Sequence, residues 1–287
     1  MNFRALLLVL LLALPGGAAA ETAAVLSSGG GAYMEAFSAF QAAYGEEVAH
    51  YYLSNGKPKL APQTRTVAAF GGKATIYPYP PGTRVVYCMA PGIFLKKGDL
   101  ASTVKVSLIP NFATILSRLK SIQPDLKTLK VLWMAPDFGQ FAGAIGKAGE
   151  ALGIQLVSIR VQDPSDLPSI LRREMQGMDA FWLPPDPLLI TPENLLILRE
   201  FSWSNGIPFY GSTKGMTREG AAASVGLSFR DMGAAAAAAA LKLEAGETLP
   251  EVVFPEKEEI TLNATAAKRC RLEFPRKLIE EAGYFFP

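Results

Sequence analysis

The sequence predicts an α/β protein with parallel sheets, divided into two lobes. Three observations carry that prediction. Short apolar runs alternate with stretches of helical spacing over most of the chain. Two of those runs, in DAFWLPPD (179–186) and IPFYGSTK (207–214), stop abruptly in polar, turn-forming residues, with a helical stretch over 191–205 between them. The chain of 287 residues also exceeds the commonest size for a single core. An open parallel sheet brings the residues after each strand to one edge, and such sheets bind ligands there. The chain therefore advertises a small-molecule cleft more than a catalytic centre.

The first twenty residues read as a cleaved secretory signal. Arg4 gives a positive start, residues 5–14 form an apolar stretch, residues 15–17 break it, and Ala18, Ala19 and Ala20 supply the small residues of a cleavage site. The stretch is too short to span a bilayer, which disfavours an uncleaved anchor. No cysteine follows it, so a freely soluble periplasmic protein is expected, without a lipid anchor. Cleavage after Ala20 leaves 267 residues and, with Arg4 gone, 27 basic against 26 acidic side chains. That balance gives no electrostatic case for nucleic acid or an anionic membrane. The seven alanines at 234–240 fit a close-packing helix face better than a membrane element. Cys88 lies in an apolar run and Cys270 in a basic one; an oxidising compartment permits a disulfide, but a buried Cys88 and a free Cys270 are favoured. With a single histidine, His50, and no Cys/His spacing, no metal or other cofactor is expected.

The elements follow in order. Residues 23–26 make a first strand, ended by Ser27, Ser28 and three glycines, and residues 33–44 a helix with Met34, Phe37 and Phe40 near one face. A second strand is expected at 47–53. Asn55, Gly56, Pro58 and Pro62 then leave the next crossover helix short, distorted or absent. Strands follow at 66–70 and 84–89, separated by a proline-rich loop, then a strand at 104–108 and a helix at 112–122. The second half reads strand 129–134, helix 138–152, strand 154–159, helix 166–176 capped by Asp166 or Ser165, and strands at 180–183 and 208–211. A strand at 223–227 and a long helix at 231–245 complete the pattern. The expected division is 21–105 with about 229–255 in one lobe, and 106–228 with about 256–287 in the other.

Several side chains are candidates on chemistry alone. Asp186, after two prolines, can accept from a ligand ammonium or hydroxyl; it can equally cap the following helix or sit solvated. Ser27 to Gly31 can present amides to an anion at a helix N-terminus, or form a plain turn. Lys73 is a candidate anion partner, though the FGGK segment (70–73) lacks the glycine pattern of a phosphate loop. Phe138 and Tyr33 are candidate stacking residues, while Phe181 and Trp182 belong to core packing and His50 to a structural role. Hydrolytic readings fare poorly: there is no G-x-S-x-G elbow, and nothing flanking Asp137 and Asp186 supports glycoside chemistry.

From about residue 129 onward the order of motifs resembles the periplasmic substrate-binding proteins of ABC transporters. More narrowly, it is similar to the ABC-type substrate-binding family that includes tryptophan- and tyrosine-binding members. The resemblance rests on KVLWMAPD (130–137), DAFWLPPD (179–186), GIPFYG (206–211), EGAAASVG (219–226) and Met232-Gly233 opening the alanine-rich helix. It covers about residues 105–265 well and the rest weakly. It implies two Rossmann-like lobes joined by a multi-strand hinge, the type I periplasmic binding protein fold, with ligand closed between them. Hinge motion would fall near Val106 and Ser228. It also implies a monomeric, non-enzymatic protein whose partners are a small polar or aromatic ligand and an inner-membrane ABC permease. Carried over by position, the contacts fall at Ser27, Ser28, Gly29 and Gly30, at Phe70, Gly71 and Lys73, and at Met89 and Ala90. In the second lobe they fall at Pro136, Asp137 and Phe138, at Asp186, and at Ser212 and Thr213. The chain departs from amino-acid-binding members at the FGGK segment, at Met89-Ala90-Pro91 where those tend to carry an aspartate, and at Thr213 where those carry an acid. A binding-protein-like sensory or interaction module on a membrane partner is the alternative reading, motivated by these departures and by the proline-broken segment after Leu53.

Overall fold

The computed structural model describes residues 22–135, 142–174 and 176–287. Its first sheet has six strands, all parallel, in the order β11-β5-β4-β3-β1-β2. These are β1 (Thr22–Leu26), β2 (Ala49–Tyr52), β3 (Thr66–Phe70), β4 (Arg84–Cys88), β5 (Ser102–Val106) and the two-residue β11 (Val252–Val253). Strands β1 and β3 are buried throughout, the signature of a sheet covered on both faces. One face lies beneath α1 (Gly31–Tyr44) and α8 (Phe229–Glu244), with Phe37, Phe40, Met232 and Ala236 among the buried contacts. The other face is covered by the irregular segments around Tyr79, Leu60, Ile93 and Leu95 and by the short α2 (Gly72–Thr75). After Leu53 the chain makes only one 3-10 turn, as its prolines dictate.

The alanines of α8 are small for a reason. A Cβ on Gly233 would stand 1.9 Å from the carbonyl oxygen of Ala36 in α1, so the two helices touch backbone to backbone. Ala236, Ala237, Ala239 and Ala240 continue that buried face. Helix α8 starts at Phe229, two residues before its expected place, because the Ser228 hydroxyl accepts from the Asp231 amide and caps the helix.

The second sheet has seven strands in the order β13-β12-β10-β9-β8-β6-β7. They are β6 (Thr128–Trp133), β7 (Gln155–Arg160), β8 (Ala180–Trp182), β9 (Phe209–Gly211), β10 (Ala223–Gly226), β12 (Glu259–Asn263) and β13 (Tyr284–Phe286). All neighbours are parallel except β10 and β12. Trp182 and Phe181 point to opposite faces and both are fully buried. Helix α3 (Phe112–Ile122) packs on the Trp182 face; α5 (Leu167–Glu174) and α6 (Pro192–Asn205) pack on the Phe181 face. Thr191 caps α6 and Gly206 closes it in the left-handed conformation. Asp163 caps the 3-10 turn that precedes α5, in place of the expected Ser165 or Asp166. Helix α4 (Ala142–Glu150) begins where description resumes; α7 (Lys214–Arg218), α9 (Ala264–Arg269), α10 (Arg276–Glu281) and the strands β12 and β13 are elements the sequence pattern did not announce.

The chain passes between the sheets three times, at 107–111, 227–228 and 254–258. Cys88 is buried in the first sheet and Cys270 beside Ser202 in the second lobe, and both are free thiols. Burial pushes the Cys88 thiol well above its ordinary range. The expected signal segment lies outside the described residues. No helix among the described residues is long and apolar enough to cross a membrane.

Candidate functional site

Parallel strands in both sheets deliver their C-terminal ends to the region of the crossovers. In the first lobe, the Ser27 amide donates to the Phe70 carbonyl at 2.9 Å, and its hydroxyl accepts from the Ala74 amide at 3.1 Å. Ser27 thereby ties the end of β1 to α2. Ser28 is half-buried, while Gly29 and Gly30 are exposed at the start of α1. Lys73 is exposed on α2. Gly71 has φ +93°, and a Cβ there would meet the Tyr33 ring and the Ser27 hydroxyl at 2.6 Å, so glycine is required on two counts. The Phe70 ring is fully buried, edge-on to Phe37 and Phe40, and packs in the core of the first lobe. Met89 adopts φ +56°, a rare conformation for a side-chain-bearing residue, at the turn after β4, and Ala90 is buried beside it.

Asp186 spends its carboxylate on the backbone. The sequence reading has its carboxylate offered to a ligand, to a helix cap or to solvent. In the structure one carboxylate oxygen accepts from the Met134 and Ala135 amides at 2.6 and 2.7 Å, and the other from the Leu188 amide at 2.9 Å. Asp186 is 3% exposed and holds the end of β6 against the end of β8. Asp179 does the same at the start of these strands, accepting from the Lys127 and Thr128 amides. The two aspartates of DAFWLPPD thus pin β6 at both ends. The Ser212 hydroxyl donates to the Leu183 carbonyl, and the Thr213 hydroxyl accepts from the Met216 amide to cap α7. Pro136, Asp137 and Phe138 lie outside the described residues.

A cavity of about 220 Å³ opens where the two sheets and the crossovers meet. The first lobe contributes Pro91 and Gly92 after β4, and Phe94 and Lys105. The second contributes Ala135 after β6 and Pro185, Asp186 and Pro187 after β8. The crossovers and the ends of the elements beside them supply residues 107–112, Val252 and Phe254. Of the described residues carried over from the resemblance, only Asp186 lines this cavity; Met89 and Ala90 adjoin it in sequence, and Ser27 to Gly30, Gly71, Lys73, Ser212 and Thr213 are not among its wall residues.

Most of the wall is apolar. Lys105 is its cation: buried at 7% exposure, the ammonium donates to the Ile93 carbonyl at 3.0 Å and lies 3.6 Å from the centre of the Phe94 ring. Sequence reading missed it, although a lysine inside the apolar run TVKV (103–106) is a visible signal. Phe94, Phe112 and Phe254 were also missed, lying in loops or at a helix start. Beyond the cavity, Glu259 at the start of β12 is held above the ordinary carboxylate range, first by burial and then by Glu35 and Asp231, against the pull of Lys214. Among the described residues no group of His, Cys, Asp or Glu is arranged to hold a metal ion.

Among solved structures, the chain is similar to an ABC domain from Streptococcus pneumonia in complex with L-Trp, at 15% identity and TM-score 0.63 over 92% of this chain and 100% of that one. It is also similar to the ligand-free, open structure of CD0873, a substrate binding protein with adhesive properties from Clostridium difficile, at 14% identity and TM-score 0.67 over 92% and 98%. A conserved domain protein from Vibrio cholerae aligns with TM-score 0.63 at 14% identity, again over 92% and 98%. These likenesses establish the type I periplasmic binding protein-like fold. No curated protein sequence matches the chain. The model of the ABC transporter substrate binding protein family matches residues 112–285, well over half the chain. The chain therefore belongs to the ABC transporter substrate binding protein family.

Proposed function

We propose that this protein is the solute-binding component of an ABC-type import system, working in the periplasm as a monomer and handing its ligand to an inner-membrane permease. The observation that carries this reading is the cavity built jointly by strand ends of both lobes and by the crossovers. A solute there is surrounded by parts that move relative to one another when two lobes rotate. Rotation about the crossovers near Val106 and Ser228 closes 21–105 with 229–255 onto 106–228 with 256–287. The apolar wall fits a ligand with an aliphatic or aromatic body, held in orientation by a few polar groups. The chain needs no cofactor for such work and catalyses nothing.

A thermal-shift screen of metabolites at millimolar concentration tests the reading. A ligand at a hundredfold its Kd adds about 2.7 kcal/mol to stability, a readily measured shift. A complete absence of shifts across amino acids, organic acids, sugars and nucleosides would sink it.

A further inference from the structure

We propose that the foot of the first sheet holds a binding site for a small oxyanion, formed by Thr66, Arg84 and Ser102. These residues stand side by side at the starts of β3, β4 and β5: Thr66 is the register partner of Arg84, and Arg84 that of Ser102. Residues in register across a sheet share one face. Two residues further along their strands, Ala68, Val86 and Val104 all pack in the core beneath α1 and α8, so the row lies on that same face. Thr66 is fully buried, while Arg84 and Ser102 keep part of their surface at solvent and leave a way in. The row sits at the opposite end of the strands from the turn after β4 that lines the cavity, so it does not depend on the solute-binding reading.

The Thr66 hydroxyl, the Arg84 Nη1 and the Ser102 hydroxyl are each buried without a hydrogen-bond partner. Among the described residues Arg84 makes no ion pair either. Unpaired buried donors are destabilising, and a charged one most of all. Thr22, in register with Thr66 on its other side, shows the satisfied arrangement: its hydroxyl donates to the Glu244 carboxylate, which also accepts from the Tyr44 hydroxyl. That acid is engaged at β1, and the rest of the row consists of a cation between two hydroxyls. All three groups can donate and the guanidinium never loses its charge, so their complement is an anion with several acceptor oxygens. The sheet sets its size. Strands lie about 4.8 Å apart, which puts Thr66 and Ser102 roughly 10 Å from each other with Arg84 between them. A hydrogen bond from each hydroxyl covers about 2.8 Å of that span. The remaining width suits a sulfate, phosphate or carboxylate group and is too great for a bare halide.

Calorimetry at fixed ionic strength tests this, with inorganic sulfate, inorganic phosphate and acetate as probes and chloride as the background ion. At least one of the three probes should bind saturably, with half-saturation at about 1 mM or below. Arg84→Gln keeps donors but removes the charge, and should weaken that binding at least about tenfold; Ser102→Ala should weaken it about threefold. Thr66→Val supplies a readout that a purely structural row would not give. In buffer free of oxyanions the variant should melt at or above the parent's temperature, because valine removes a hydroxyl that has no partner. With the probe saturating, the parent should gain more than the variant and overtake it. Three results would each overturn the inference: no binding of any probe, binding unchanged in Arg84→Gln, or a Thr66→Val protein destabilised in the absence of oxyanion. If Arg84→Gln does not fold, the parent, Ser102→Ala and Thr66→Val decide by the same criteria.

Discussion

Replacing Asp186 by asparagine separates the two roles that an aspartate at a strand end can play. As a ligand contact, its loss costs affinity and leaves stability alone. As the clamp seen here, its loss costs stability first. The size follows from three bonds to a buried carboxylate, from the Met134, Ala135 and Leu188 amides. Hydrogen bonds to a charged acceptor contribute about 1.5–3 kcal/mol each. Asparagine keeps a neutral oxygen for one side and turns an N–H donor toward the other. If that oxygen takes the place facing Met134 and Ala135, two bonds survive weakened and the Leu188 amide meets a donor. The net loss is about 2–4 kcal/mol. Urea unfolding followed by tryptophan fluorescence, to which the buried Trp182 contributes, measures it directly. Calorimetry with whatever solute the screen identifies should show affinity changed less than tenfold. A variant with an unchanged urea midpoint and abolished binding would refute the clamp and return the carboxylate to the ligand.

Two further outcomes follow from the packing and the charges. Gly233→Ala gains about 1 kcal/mol of helix propensity, but its Cβ must move at least an ångström from the Ala36 carbonyl, so overpacking at the α1–α8 crossing should leave a net loss of about 1–3 kcal/mol; a stabilised variant in thermal melts would contradict the backbone contact. Glu259 has a folded pKa above its unfolded value, so the native state binds its proton more tightly and stability falls as pH rises through that interval. Glu259→Gln should therefore be more stable than the parent at neutral pH, with the advantage vanishing below about pH 4, the range of an unfolded glutamate; an advantage independent of pH would point to packing instead.

Much of the scaffold was legible because its signals are local. Strand β3 and helix α3 fall where alternation and turn residues put them, at Thr66–Phe70 and Phe112–Ile122. The C-terminal elements were not legible: EITLN at 259–263 follows the charged PEKE segment and joins the sheet antiparallel, through pairing with β10 that no local pattern encodes. The candidate site was the least legible part. A polar residue just past a strand looks the same whether it faces a ligand or its own backbone, and Asp186, Ser27, Ser212 and Thr213 all face backbone. Phe70 was decidable, since it shares a sheet face with Ala68 and Thr66, toward α1 and α8, and strand parity alone places it in the core. The cavity wall was invisible because half of it is connecting chain, whose position depends on how the two sheets meet.

That half of the wall has a mechanical meaning. Residues 107–111 and 254–258 are ties between the two sheets, and Ser107 to Asn111 and Phe254 also line the cavity. A turn of one sheet against the other must change torsion angles in these ties, and therefore the shape of the space they enclose. The solute would thus press on the axle as well as on the jaws. On the solute-binding reading, fit and posture become one variable, and a bulkier side chain at Ile109 would retune the resting angle of the molecule along with its preference for guests.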